Sequence, residues 1–265
     1  MTWQEITGLL PASRSLKRPR NSGITMVLDK GLGLSGTRDF LEVAGPYVDF
    51  IKLGFGTAVL YNPALLAKKV ELIRSCGIHV YPGGTFVEIA LARGHLPACL
   101  KCCEAIGFTA IEISDGSLSF DRKVRDYAIY LAREAGFTVL TEVGKKRLPL
   151  CPSPMEMARQ ANADLKAGAR WVIVEGRESG CQTGIYDAQG QLKETVYQAF
   201  CGAVSSLETI IWEAPRKSQQ VELINRLGPD VNLGNIPPSE VLALEAMRRG
   251  LRGDTIAMIA GVAEA

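Results

Sequence analysis

Short apolar, β-branched runs alternate with longer amphipathic segments from one end of the chain to the other. The runs predict strands at Ile24 to Lys30, Val48 to Leu53, Ile78 to Pro82, Ala110 to Ser114, Thr138 to Val143, Trp171 to Glu175, Thr209 to Glu213 and Val231 to Leu233. Between them apolar positions recur at helical spacing, as in 63–77 and 122–136, and both of these segments stop at a glycine, as helices often do. Near-continuously apolar strands belong in a parallel sheet that helices cover on both faces. Eight strand-then-helix units in roughly 250 residues have the size of a (β/α)8 TIM barrel. A doubly wound open sheet is the alternative, but no GxGxxG follows the first strand. Residues 24–265 are therefore expected to form one barrel domain. Residues 1–23 form a short N-terminal extension, expected to close the barrel's bottom or to pack against a neighbouring subunit.

Composition narrows the function classes. Apolar residues make up 47% of the 265, ample for a continuous core. The formal net charge of +2 excludes the bulk electrostatics of a nucleic-acid sleeve. The one locally basic run, Lys17-Arg18-Pro19-Arg20, reads as a solvated arm. No apolar run approaches the roughly 20 residues that span a bilayer, and no signal peptide is evident, so a cytoplasmic protein is expected. Seven cysteines do not pair off. The CxxC at Cys99 and Cys102, with Cys103 beside it, lies in a helical pattern and has no second Cys or His pair, so it reads as core thiols rather than a zinc set.

In such barrels chemistry sits at the C-terminal ends of the strands. Here nearly every end carries an ionisable group: Asp29-Lys30, Lys52, Glu112 with Ser114 and Asp115, Glu142 with Lys145 and Lys146, Glu175 with Arg177 and Glu178, Glu213 with Arg216 and Lys217. One such carboxylate is ordinary, because it can pair with a neighbouring arginine. The same placement at Glu112, Glu142, Glu175 and Glu213, on four consecutive strands, is not explained that way. Carboxylates alternating with Lys and Arg suggest a metal site beside an anion site, and oxygen ligands without histidine favour Mg2+. The two histidines, His79 and His95, stand away from these ends, so proton transfer falls to Lys, Glu, Asp or Tyr. At the last strand Gly234-Asn235 precedes a helix opening near Ser239, an arrangement that can bind an anion.

At these residues the sequence resembles a known family. The stretches 24–33, 49–57, Tyr81-Pro-Gly-Gly-Thr85, Ile111-Glu-Ile-Ser-Asp-Gly116, Glu142-Val-Gly-Lys-Lys146, Arg177-Glu-Ser-Gly180, Trp212-Glu-Ala-Pro215, Asn232-Leu-Gly-Asn235 and 244–252 resemble the phosphosulfolactate synthase family, in order, from about Arg20 to Thr255. One departure is Gly176, where the family pattern has Ala.

The resemblance implies a Mg2+-dependent barrel lyase, acting in the synthetic direction, that joins sulfite to phosphoenolpyruvate to give (2R)-phospho-3-sulfolactate, a precursor of coenzyme M in some organisms and of sulfolactate in others. Barrels of this type often assemble, and a homo-oligomer, a trimer or higher, is the expectation. Mg2+ is expected on two or three of Glu112, Glu142, Glu175 and Glu213. Lys30, Lys52, Lys146, Ser114, Arg177 and the Gly234-Asn235 amides are the expected anion contacts. Lys145, Arg177 and Glu178 are the expected catalytic group, with Lys145 as proton donor. Two other readings use similar parts. One is a different phosphoenolpyruvate or phospho-sugar barrel enzyme, including a Schiff-base aldolase. The other is a non-catalytic stress-tolerance protein like the plant heat-stress-associated relatives, against which the intact Lys145, Arg177 and Glu178 motifs speak.

Overall fold

The computed structural model describes residues 16–145 and 152–256. Strands and helices alternate through them. In chain order they are β1 (Thr25–Asp29), α1 (Leu34–Ala44), β2 (Phe50–Leu53), α2 (Pro63–Ser75), β3 (His79–Pro82), α3 (Gly84–Ala92), α4 (Leu96–Ile106), β4 (Ala110–Ile113) and α5 (Arg122–Glu134). They continue with β5 (Thr138–Val143), α6 (Pro154–Ala167), β6 (Trp171–Val174), α7 (Glu194–Ala203), β7 (Ile210–Glu213), α8 (Lys217–Leu227), β8 (Leu233–Ile236) and α9 (Val241–Arg248).

The strands pair in parallel in the order β3-β2-β1-β8-β7-β6-β5-β4. The two end strands approach each other: Thr109 N donates to Val80 O at 3.1 Å, and Val80 N donates to Thr109 Oγ1 at 3.1 Å. The sheet is thus a nearly closed (β/α)8 TIM barrel, as the alternation predicted.

Alternation along each strand builds two cores. Outward residues such as Val27, Ile51, Val80, Ile111, Val139 and Val172 pack under the helices. Inward residues Met26, Phe50, Tyr81, Ala110, Leu140, Ile173 and Ile211, with Ile24 and Trp171 at the N-terminal end, fill the barrel. Both faces are buried, which is why the strands read as continuous apolar runs, and each fully buried large side chain contributes roughly 1.5–3 kcal/mol. The helices start on local signals. Asn62 caps α2 by accepting from Ala64 N at 3.0 Å, Asp121 caps α5 through Lys123 N at 2.8 Å, and Ser153 and Glu156 form a capping box on α6. The glycines read as stops, Gly77 and Gly136, turn the chain with φ of 69° and 84°.

Two expectations are corrected. The eighth strand runs from Leu233 to Ile236, through Gly234 and Asn235, rather than over the expected Val231 to Leu233. It can do so because Gly234 faces inward against Met26, in space that a Cβ would fill. Nor is the Lys-Arg-Pro-Arg run a solvated arm. Arg20 is buried and bidentate to Asp49, through Nε at 2.8 Å and Nη2 at 3.0 Å, across the N-terminal end of the barrel. Most of the 1–23 extension lies outside the described residues. Its part from Leu16 onward borders a cavity at the N-terminal end, lined by Arg18, Arg20, Phe50, His79 and Trp171 among others.

Cys99 and Cys103 are buried on α4, while Cys102 is exposed; the six cysteines among the described residues are all free. No helix among them is long and apolar enough to cross a membrane.

Candidate active site

Above the apolar filling, the last inward position of several strands is charged. Lys52 on β2, Glu112 on β4, Glu142 on β5 and Glu213 on β7 all project into the C-terminal end of the barrel, and Glu175 follows β6 directly. The carboxylates are at most 2% exposed and Lys52 is 8% exposed.

One ammonium serves several of them: Lys52 Nζ lies 3.0 Å from Glu112 Oε2, 3.3 Å from Glu213 Oε1 and 3.7 Å from Glu142 Oε2. Burial alone would lower the Lys52 pKa. Glu112, then Glu213, Tyr81 and Glu142 outweigh it, so the group stays charged well above the ordinary lysine value. The Tyr81 phenol, closing the layer below, is pushed well above its ordinary value by burial and then by Glu112, so it remains neutral.

Backbone amides orient the carboxylates. Gly84 N donates to Glu112 Oε1 at 3.0 Å, Gly176 N to Glu213 Oε2 at 2.9 Å, and Arg177 N to Glu175 Oε1 at 2.6 Å. The close approach at Gly176 leaves no room for a side chain, since a Cβ there would lie 2.5 Å from Glu213 O.

Glu142, Glu175 and Glu213 stand apart from the rest as a group. One carboxylate oxygen from each lies within 4.8 Å of the others. Three buried, hard oxygen donors at that spacing, with no thiolate or imidazole among them, fit Mg2+ and do not fit a soft metal. Glu112 is not in the group; Lys52 and the Gly84 amide lie at its two oxygens.

These residues border a cavity of about 280 Å³ that opens at the barrel's C-terminal end, enough for a small substrate. Its rim is the β6 loop, with Arg177, Glu178 and Ser179, the β2 loop, with Phe55, and the start of α3, with Thr85. Phe55, Arg177 and Asn235 have φ of 57°, 59° and 55°, so three of the four non-glycine residues with positive φ among the described residues line this one cavity. Strained backbone gathers at working sites. Asn235 is 5% exposed, and its Oδ1 is buried with no hydrogen-bond partner among the described residues. An amide so placed can turn its oxygen to a cation or its nitrogen to an anion.

The remaining expected residues are distributed as follows. Lys30 forms an exposed ion pair with Glu178, joining the β1 and β6 loops. Gly234 lies within β8, where Ala214 N donates to its carbonyl at 2.9 Å. Ser114 gives its hydroxyl to Glu88, not to the cavity. Lys146 falls outside the described residues.

Lys145 is also not gathered with the carboxylates. Its ammonium is docked on the β4 loop, bonded to Asp115 O, 3.0 Å from Asp115 Oδ2 and 3.0 Å from Leu118 O. Glu88 builds that loop, accepting from Gly116 N at 3.1 Å, Ser117 N at 3.1 Å and Leu118 N at 2.9 Å. Its role was missed, although a lone Glu inside the apolar helix Thr85-Phe-Val-Glu-Ile-Ala-Leu was the signal available.

Comparison with known proteins agrees with this geometry. The family model for (2R)-phospho-3-sulfolactate synthase matches residues 13–254. Phosphosulfolactate synthase of Methanothermobacter thermautotrophicus is 45% identical over 244 residues, spanning 91% of this chain and 94% of the relative. That of Methanocaldococcus jannaschii is 44% identical over 240 residues, spanning 89% and 95%. Among solved structures, 3-hexulose-6-phosphate synthase from Salmonella typhimurium aligns with a TM-score of 0.55 at 17% identity, covering 84% of this chain and 96% of that one, a likeness of fold alone. With a family model spanning nearly its whole length and relatives this similar, the chain belongs to the (2R)-phospho-3-sulfolactate synthase family and is a lyase of that kind.

Proposed function

We propose that the cavity joins sulfite to phosphoenolpyruvate on Mg2+ held by Glu142, Glu175 and Glu213. The observation that carries this reading is the group of three buried carboxylates beside the Lys52 ammonium at the mouth of a barrel of this family. In the reaction the sulfur lone pair attacks C3 of phosphoenolpyruvate, and a C–S bond forms. The C2–C3 π electrons move toward C2 and the adjoining carboxylate, and a proton then adds at C2. When bound, Mg2+ supplies Lewis-acid stabilisation for the charge that gathers on that carboxylate.

The chain's own residues do the rest. Lys52 places a fixed positive charge at the floor of the cavity, where two substrates carrying roughly four to five negative charges would otherwise repel by several kcal/mol. Arg177, on the rim, offers a planar fork to a phosphate or sulfonate. The apolar filling of the barrel below keeps water from the floor of the cavity, where the charge develops.

We assign the C2 proton to Lys145. Lys52 is held too firmly protonated by its carboxylates to give a proton up readily, and delivery from Lys145 requires its ammonium to leave Asp115. The purified protein should consume sulfite only when phosphoenolpyruvate and Mg2+ are both supplied. Sulfite loss without phosphoenolpyruvate, or full activity after EDTA treatment, would discard the reading.

A further inference from the structure

Four charged side chains meet beneath the β5 exit, and none of them reaches the cavity. Arg125, on α5, is 3% exposed, and Asp164, on α6, is fully buried. Arg125 Nε and Nη2 reach Asp164 Oδ1 and Oδ2 at 2.9 and 2.6 Å, and Nη1 reaches Asp115 Oδ1 at 3.1 Å. Arg122 adds a second guanidinium on Asp164 at 2.6 Å. Burying such a cluster is costly, and apolar residues of similar size are often at least as stable, so its retention calls for a reason beyond joining two helices.

The reason lies in the one remaining contact. Arg125 Nη2 donates to the backbone carbonyl of Glu142 at 2.9 Å. The last β4–β5 pair is Ile113 with Thr141, so Glu142 lies one residue past the end of its β4 neighbour. On that side the guanidinium takes over where the ladder stops. It holds the backbone of a carboxylate whose side chain points into the cavity. Through Asp115 the same guanidinium also holds the dock of Lys145, two residues further along β5's exit from Val143.

We infer that Arg125, aimed by Asp164, is a positioning residue for the divalent-cation site, fixing Glu142 in register with Glu175 and Glu213. The inference rests on the proposed metal reading. A planar fork with three acceptor groups on three elements is needed for this task, and a lysine cannot supply it. Groups that orient metal ligands without touching the metal typically change affinity 10–100-fold when removed.

The test is Mn2+ binding to the full chain, followed by electron paramagnetic resonance and competed with Mg2+. Arg125→Lys keeps a positive charge opposite Asp164 and should leave the barrel folded, yet raise the Mn2+ Kd about tenfold or more. Arg20→Lys, at the equally buried Arg20–Asp49 pair on the far end, is the control and should leave the Kd unchanged. A folded Arg125→Lys protein that binds Mn2+ like wild type overturns the inference. So does an equal loss in Arg20→Lys, which would mean general loosening. If Arg125→Lys does not fold, Asp164→Asn loosens the aim while keeping the guanidinium. It should raise the Kd by a smaller factor, and no change there overturns the inference equally. Wild-type protein with no saturable, Mg2+-sensitive Mn2+ binding would instead remove the metal reading itself, and this inference with it.

Discussion

The two ends of the barrel bury charge in opposite ways. At the N-terminal end Arg20 meets Asp49 with two bonds, and the second Asp49 oxygen also accepts Thr25 N at 2.9 Å. His79 stacks on Phe50 with ring centres 5.0 Å apart, and burial lowers its pKa, with Asp49 opposing, so it stays neutral at physiological pH. There the buried Arg20 meets one counter-charge, Asp49. At the C-terminal end, among the described residues, three buried carboxylates, Glu112, Glu142 and Glu213, lie around the ammonium of Lys52, with buried Glu175 beside them. One-to-one pairing needs nothing further and serves the fold. Carboxylates gathered this closely in a buried space are suited to a ligand of the opposite sign, which is the mark of a working end.

Changes at the two ends should therefore fail differently. The largest effect is expected at the cation site. Glu142→Ala or Glu213→Ala should lower kcat/KM by about 10³-fold or more, on the order of 4 kcal/mol, with circular dichroism unchanged. Retained turnover in either would move the metal elsewhere.

Next come the two buried cations. Lys52→Met and Arg20→Met each leave carboxylate charge behind and should cost about 3–5 kcal/mol of stability in metal-free protein. Mg2+ should restore much of the loss in Lys52→Met and none in Arg20→Met, as chemical denaturation would show. Equal response to Mg2+ would erase the distinction between the ends. The Lys52 pKa is raised on folding, so its contribution to stability is whole below the ordinary lysine value of about 10.4. It is lost only as pH rises through the folded value.

Smaller effects separate the rim residues. Lys145→Ala should cut kcat by roughly 10²-fold and slow deuterium delivery to C2, with phosphoenolpyruvate affinity mostly kept. Loss of affinity with kcat intact would make Lys145 a binding group. Arg177→Lys should raise the KM of one substrate about tenfold, near 1.4 kcal/mol. An unchanged KM for both would place its guanidinium outside the substrate contacts.

The barrel was legible because its strands are buried on both faces and its helices carry their own caps and glycine stops. The ring of glutamates was legible for a related reason: inward positions alternate, so a charge at the last one must enter the mouth. What the sequence concealed was direction. Lys145 follows β5 by two residues, yet Gly144, with φ of 116° and no room for a Cβ beside Glu175, turns the chain so that the ammonium meets Asp115. Ser114 follows β4 by one residue, yet a glutamate from α3 claims its hydroxyl. Arg125 was readable in principle. It shares the buried face of α5 with Ala128, Ile129 and Ala132, at spacings of three, four and seven, where a charge needs a partner. Its partners, Asp115, Glu142 O and Asp164, come from three other segments, and only the folded chain brings them together.

The central claim is that the carboxylate-rich end is a divalent-cation site. Anomalous diffraction from crystals grown with Mn2+ tests it most directly. A single peak within coordination distance of carboxylate oxygens of Glu142, Glu175 and Glu213, absent at the Arg20–Asp49 end, is the expected result. A peak elsewhere, or none at the three glutamates with phosphoenolpyruvate present, would contradict the account.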